Sequence, residues 1–133
     1  MKSALQQFRH GFTLVELMIV VAIIALLASI AVPAYARSRK RAQAARVLED
    51  LRALDSAVDQ WALENNKAVG DIATLSDLQP YIKTGTVLNS QGIDVLGHSF
   101  GNSFSVDFIP RVPPTTYSTL SDVAPASFWS PYY

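Results

Sequence analysis

The sequence contains no cysteine. That excludes disulfide staples, thiol nucleophiles and cysteine-ligated zinc or iron–sulfur centres together. Histidine is scarce, with His10 and His98 only, and no metal-binding histidine pair, glycine-rich phosphate loop or nucleophile elbow appears. Serines, aspartates and one distant histidine with no supporting spacing do not make a catalytic triad, so no catalytic residue, cofactor or metal site is assigned. Positive charge is not in excess: 11 Lys and Arg face 11 Asp and Glu, which gives no bulk attraction to nucleic acid. Charged residues are only 17% of the chain against 50% apolar, too apolar for a disordered protein. The 133 residues fit about one domain.

The zero net charge conceals segregation. Residues 1–11 hold Lys2 and Arg9, and residues 12–32 hold one charge, Glu16. Residues 33–53 form a basic collar, with Arg37, Arg39, Lys40, Arg41, Arg46 and Arg52 against Glu49 and Asp50. Residues 54–133 are acidic, with three cations against eight acids.

The run Phe12–Val32 is 21 residues of FTLVELMIVVAIIALLASIAV. As a helix it spans ~31 Å, about one hydrocarbon core. It is apolar on every side, unlike an amphipathic surface helix, and a chain this short builds little core in which to bury it. A removable signal peptide is one reading, because Ala34-Tyr35-Ala36 has the small-x-small form of a cleavage site. The run is longer than a usual signal h-region of about 7–15 residues. It also retains Glu16, and an acid inside a membrane segment is costly enough to mark a functional position.

The stretch Gly11-Phe12-Thr13-Leu14-Val15-Glu16-Leu17-Met18, behind a short basic leader and ahead of an apolar helix with Pro33 beyond it, resembles the prepilin signature of type IV pilins and type II secretion pseudopilins. The resemblance implies a non-enzymatic structural subunit. A prepilin peptidase would cut between Gly11 and Phe12. Phe12 would become the N-methylated terminus. Glu16 would pair with the terminal amine of a neighbouring subunit's Phe12 and set the docking register. Gly11 has no side chain to obstruct the cut. The implied partners are further copies, other pilin-like subunits and an inner-membrane assembly platform. The implied location is a single pass of a bacterial inner membrane with the N-terminus cytoplasmic, followed by a periplasmic or cell-surface filament. Lys2 and Arg9 fit that orientation. Counted alone, the larger cluster of Arg37, Arg39, Lys40, Arg41 and Arg46 points the other way. Anionic headgroups, acidic faces of neighbouring subunits and plain solvation are all open roles for the collar. A monomeric membrane-anchored binding module and a secreted domain cleaved after Ala36 are the alternative functions.

Pro33 removes a backbone donor and leaves the Ser29 carbonyl without its helical partner, so a kink is expected there. Beyond it Ala44, Val47, Leu51, Leu54, Val58 and Trp61 recur by threes and fours. Leu48, Ala62 and Leu63 widen the stripe, and Arg46, Glu49, Asp50, Arg52, Asp59 and Glu64 lie opposite. The helix should end near Asn65-Asn66, with Gly70 in the next turn. Thr74 precedes Asp77 by three positions, an N-cap pattern, with Leu78, Tyr81 and Ile82 inward and Pro80 limiting the helix. Residues 102–109 alternate as a half-buried strand with Phe104, Val106 and Phe108 on one face. Thr86–Leu88 and Ile93–Leu96 are further strand candidates, and Thr116–Val123 a short helix. The aromatic tail from Phe128 to Tyr133 reads as a strap over the core or an exposed adhesive patch. Residues 94–102 resemble the Asp-Pro-x-Gly-Asn turn of major pseudopilins, with Val95 and His98 in place of Pro and Asn. Asp94, Asp107 and Asp122 offer oxygens for the calcium some members hold, without a recognisable ligand spacing.

The expectation is an α+β chain. A leader covers residues 1–11, a membrane-spanning and assembly helix 12–33, and its amphipathic continuation 34–66. A small domain with a short antiparallel sheet covers 67–133.

Overall fold

In the computed structural model residues 11–133 are described; Lys2, Arg9 and His10 of the basic leader lie outside them. The architecture is α+β. One helix, α1 (Leu14–Glu64), runs 51 residues. The chain forms two compact units, one ending at Ala36 and one spanning Arg37–Tyr133, and α1 contributes to both.

In the first unit every residue from Leu14 to Val32 is exposed. With apolar side chains all round, this stretch has no polar face to keep in water. It is long and apolar enough to cross a membrane.

In the second unit α1 becomes amphipathic and buries Ala44, Val47, Leu51, Leu54, Val58 and Trp61 as the spacing requires. Around it lie β1 (Ile72–Thr74), α2 (Leu75–Leu78), a 3-10 turn at Gln79–Tyr81, α3 (Val87–Gln91), β2 (Ser103–Ser105), α4 (Pro114–Leu120) and α5 (Ala126–Trp129). β1 and β2 pair antiparallel with Ala73 opposite Phe104. These elements close two apolar clusters on successive turns of α1. Leu54, Val58 and Trp61 meet Ala73, Leu78, Ile82, Leu88, Phe104 and Val106. Nearer the collar, Ala44, Val47 and Leu51 meet Val112, Leu120, Ala124, Trp129 and Tyr132. Each fully buried Leu or Val contributes roughly 1.5–3 kcal/mol relative to exposure, so these clusters hold the unit together without a disulfide.

α1 stops at Glu64 because Asn66 turns to φ 49°. Asn65 and Lys67 then cap the last carbonyls: the Asn65 side chain donates to Trp61 O at 2.9 Å and Lys67 N–H to Ala62 O at 2.9 Å. At α2 the expected N-cap forms, with Thr74 N–H and hydroxyl both donating to the Asp77 carboxylate at 2.8 and 2.7 Å. These bonds hold the Asp77 carboxyl below its ordinary value of 3.8.

Five expectations are corrected. Asp50 is buried rather than on the polar face, because the segment from Thr86 to Asp94 lies beside it, and Arg46 pairs with it at 3.5 Å. Leu63 is 81% exposed, since no element of the unit covers that side of the last turn. Thr86–Leu88 is not a strand: Thr86 accepts from Asn89 N–H and opens α3. Ile93–Leu96 makes only an isolated bridge, Ile93 to Ser99. The strand in 102–109 stops at Ser105, and Asp107 at φ 65° turns Phe108 out to 68% exposure. β1 itself carries no strand pattern in the sequence, as its three residues are too few for a period. In the tail, Trp129 and Tyr132 are buried as a strap while Phe128 and Tyr133 remain exposed. Trp129 Nε1 donates to Ala124 O at 3.0 Å, and Tyr132 OH donates to Asp55 at 3.2 Å.

Candidate functional site

The residues singled out at the N-terminal end lie together at the start of α1. Gly11 and Phe12 precede the helix and are exposed, and a Cβ at Gly11 would meet nothing within 4 Å. The Gly11–Phe12 peptide bond is thus outside the helical hydrogen-bond ladder and accessible from solvent.

Glu16 is in the first turn, bound to Thr13, a residue to which the resemblance alone gives no role. Thr13 N–H and Thr13 hydroxyl donate to Glu16 Oε2 at 2.8 and 2.9 Å, and Glu16 N–H donates to Thr13 Oγ1 at 3.2 Å. This is a reciprocal capping box. Its signal, Thr-x-x-Glu before an apolar run, is legible in the sequence. The arrangement satisfies two free N-terminal donors and places the negative charge at the positive end of the helix dipole. It also carries the carboxylate back to the backbone of Thr13, the residue next to Phe12. The single acid of the apolar run therefore sits at its N-terminal lip, one residue from the Gly11–Phe12 bond, instead of projecting sideways.

α1 runs through Pro33 without interruption. One turn earlier, Ser29 Oγ donates to Leu26 O at 2.7 Å. Past Ala36 the collar begins. Lys40 Nζ bonds Asp122 Oδ2 at 2.9 Å, and that ammonium holds the Asp122 carboxyl below its ordinary value. Arg37, Arg39 and Arg41 are exposed.

The three aspartates considered for calcium are engaged separately. Asp94 is buried; its carboxylate accepts Leu96 N–H at 2.8 Å, His98 N–H at 2.9 Å and the Thr116 hydroxyl. His98 Nδ1 lies 2.8 Å from Thr116 Oγ1. Because the Thr116 hydroxyl donates to Asp94, its oxygen accepts from His98, which fixes the proton on Nδ1. Asp122 bonds Lys40, and Asp107 lines a surface groove with Asp59. Among the described residues no group of three His, Cys, Asp or Glu side chains could hold a metal ion. Asp94 instead ties the 94–98 loop to α4.

Residues 7–32 match the family model for the prokaryotic N-terminal methylation motif. The chain is 46% identical over 71 residues to a fimbrial protein of Pseudomonas aeruginosa, covering 53% of this chain and 46% of that one. It is 39% identical over 62 residues to type II secretion system core protein G of Klebsiella michiganensis, covering 47% and 44%. It is 42% identical over 64 residues to the type IV major fimbrial protein FimA of Dichelobacter nodosus, covering 48% and 40%. The similarity thus spans about half the length of these relatives. No solved structure matches the chain significantly.

Proposed function

We propose that the chain is a prepilin: a structural subunit, not an enzyme, that is cut between Gly11 and Phe12, N-methylated at Phe12 and assembled into a helical filament. Its relatives include both fimbrial proteins and type II secretion core proteins, and the proposal stands at the level these share. The observation that carries it is one coincidence at the start of α1. An accessible Gly11–Phe12 bond, a lone acid five residues after Gly11 and a wholly exposed apolar helix occur in that order, within the span that matches the methylation motif.

Each part has a physical task. The apolar stretch anchors the subunit in the inner membrane, the leader staying cytoplasmic, until the assembly platform draws it into the filament. There the same apolar surface is buried against neighbouring helices, and outside the membrane its exclusion from water gives cohesion. Processing creates a cationic amine at Phe12. Thr13 holds Glu16 at the helix lip, where the carboxylate can exchange its capping bonds for the amine of an adjacent subunit. A buried charge left alone is strongly penalised, so only the register that pairs Glu16 is tolerated. Pro33 supplies a place for α1 to bend. The leader 1–11, anchor 12–33, continuation 34–66 and distal domain 67–133 are the working divisions.

Mass spectrometry of the mature N-terminus tests this. N-methyl-Phe12 is the expected result. A start at Arg37 would mean a secreted domain, and an uncut leader would mean a simple anchor; either overturns the proposal.

A further inference from the structure

The basic collar and the far end of the second unit complement each other, yet one chain cannot bring them together. Residues 37–46 hold five cations and no acid, whereas residues 47–133 hold ten acids and four cations. Arg39 and Leu63 are both on α1, 24 positions apart, or about 36 Å at the helical rise. At that far end, Asp59, Leu63, Val69, Val106 and Asp107 line a groove of about 500 Å³. Leu63 and Val69 are among the most exposed large apolar side chains of the unit, at 81% and 77%. Lys67 also borders the groove, but its ammonium lies 5.4 Å from the centre of the Trp61 ring, a cation–π position. Phe108 and Ile109, also exposed, continue the apolar surface beyond Asp107.

We infer that this groove receives the Arg37–Arg41 collar of a second copy of the chain. Arginine suits it, because the aliphatic stem can lie along Leu63 and Val69 while the guanidinium reaches a carboxylate. Asp59 and Asp107 stand on the rim to accept it. Arg37, Arg39 and Arg41 make no ion pair among the described residues. Joining the collar of one copy to the groove of the next is a heterologous, head-to-tail contact, which propagates as an open polymer instead of closing into a dimer. The inference rests on the filament reading and adds to it a second contact, remote from Glu16. It gives the collar its work outside the membrane.

The test uses the full chain in cells that supply a pilus-type assembly machinery. With no native cysteine, Ser38→Cys beside the collar and Ala68→Cys in the groove can be joined only to each other or to themselves by a short thiol cross-linker. The expected result is a ladder of cross-linked multimers. Asp59→Lys with Asp107→Lys should lower that ladder about tenfold, the scale of a lost charge-paired contact, and adding Arg37→Glu, Arg39→Glu and Arg41→Glu should restore it. Filaments that form without the ladder overturn this contact and leave the filament reading standing. A ladder insensitive to the groove reversal overturns it as well. So does a missing ladder when the collar reversal abolishes binding to phosphatidylglycerol vesicles, which assigns the collar to lipid. Absence of filaments from the unmodified chain overturns the filament reading and this contact with it.

Discussion

The two parts of α1 belong to one helix and have opposite solutions to burial. Before Ala36 the helix exposes every apolar side chain it carries. After Arg37 it exposes mainly its polar ones and shares the rest with two clusters drawn from its own chain. The contrast teaches where each region obtains its stability. The second unit buries its apolar stripe within its own chain, whereas the first presents an all-apolar surface of the kind that suits a membrane or other helices. Substitutions should therefore separate them cleanly.

The largest effect is expected at Trp129, fully buried in the cluster nearest the collar. Trp129→Ala should cost the second unit about 3–5 kcal/mol by chemical denaturation in detergent micelles. Ile24→Ala, in the exposed part of α1, should leave that midpoint unchanged. Next comes Thr116→Val, which removes the hydroxyl between Asp94 and His98. A buried carboxylate loses a donor, so a loss of about 1–3 kcal/mol is expected, with hydrogen exchange rising first in residues 94–98. Thr13→Ala should weaken the start of α1 by about 1 kcal/mol, seen as faster amide exchange confined to residues 13–17.

The smallest effect is a pH slope confined to the second unit. Burial pushes the Asp50 carboxyl above its ordinary 3.8, opposed by the Arg46 guanidinium and aided by Glu49 and Asp94. The folded state then holds a proton that the unfolded chain has released. Stability must fall as pH rises from 3.8 through the raised value. Asp50→Asn should abolish that fall. Asp77 and Asp122 are shifted down, by the Thr74 hydrogen bonds and by Lys40. Their contribution is present above the ordinary value and lost only as pH falls through their lowered ones. The two slopes occupy different windows and can be read from one denaturation series.

The sequence revealed long periods better than short or nonlocal features. The buried stripe from Ala44 to Trp61 was legible because a helix repeats its inward face over many residues. The Thr74 cap was legible because it is local. Three-residue strands offer no period, so β1 leaves no pattern and the alternation of residues 102–109 overruns β2. The turn at Asp107 cannot be read from alternation, which by itself points Phe108 inward. Helical spacing alone puts Asp50 on the polar face, because it does not reveal a fold closing over it. At the N-terminal site, Glu16 was conspicuous as the one charge in an apolar run. Thr13 shows only through its spacing: Thr-x-x-Glu before an apolar run is a capping-box pattern, and its bonds to Glu16 give it a role.

On the prepilin reading, the first unit is completed by other copies through Glu16. Glu16→Ala in the full chain, followed by electron microscopy for filaments, tests it most directly. The variant should insert, be processed at Phe12 and keep the second unit's denaturation midpoint, but form no filaments. Filaments of normal length and number from that variant would contradict it.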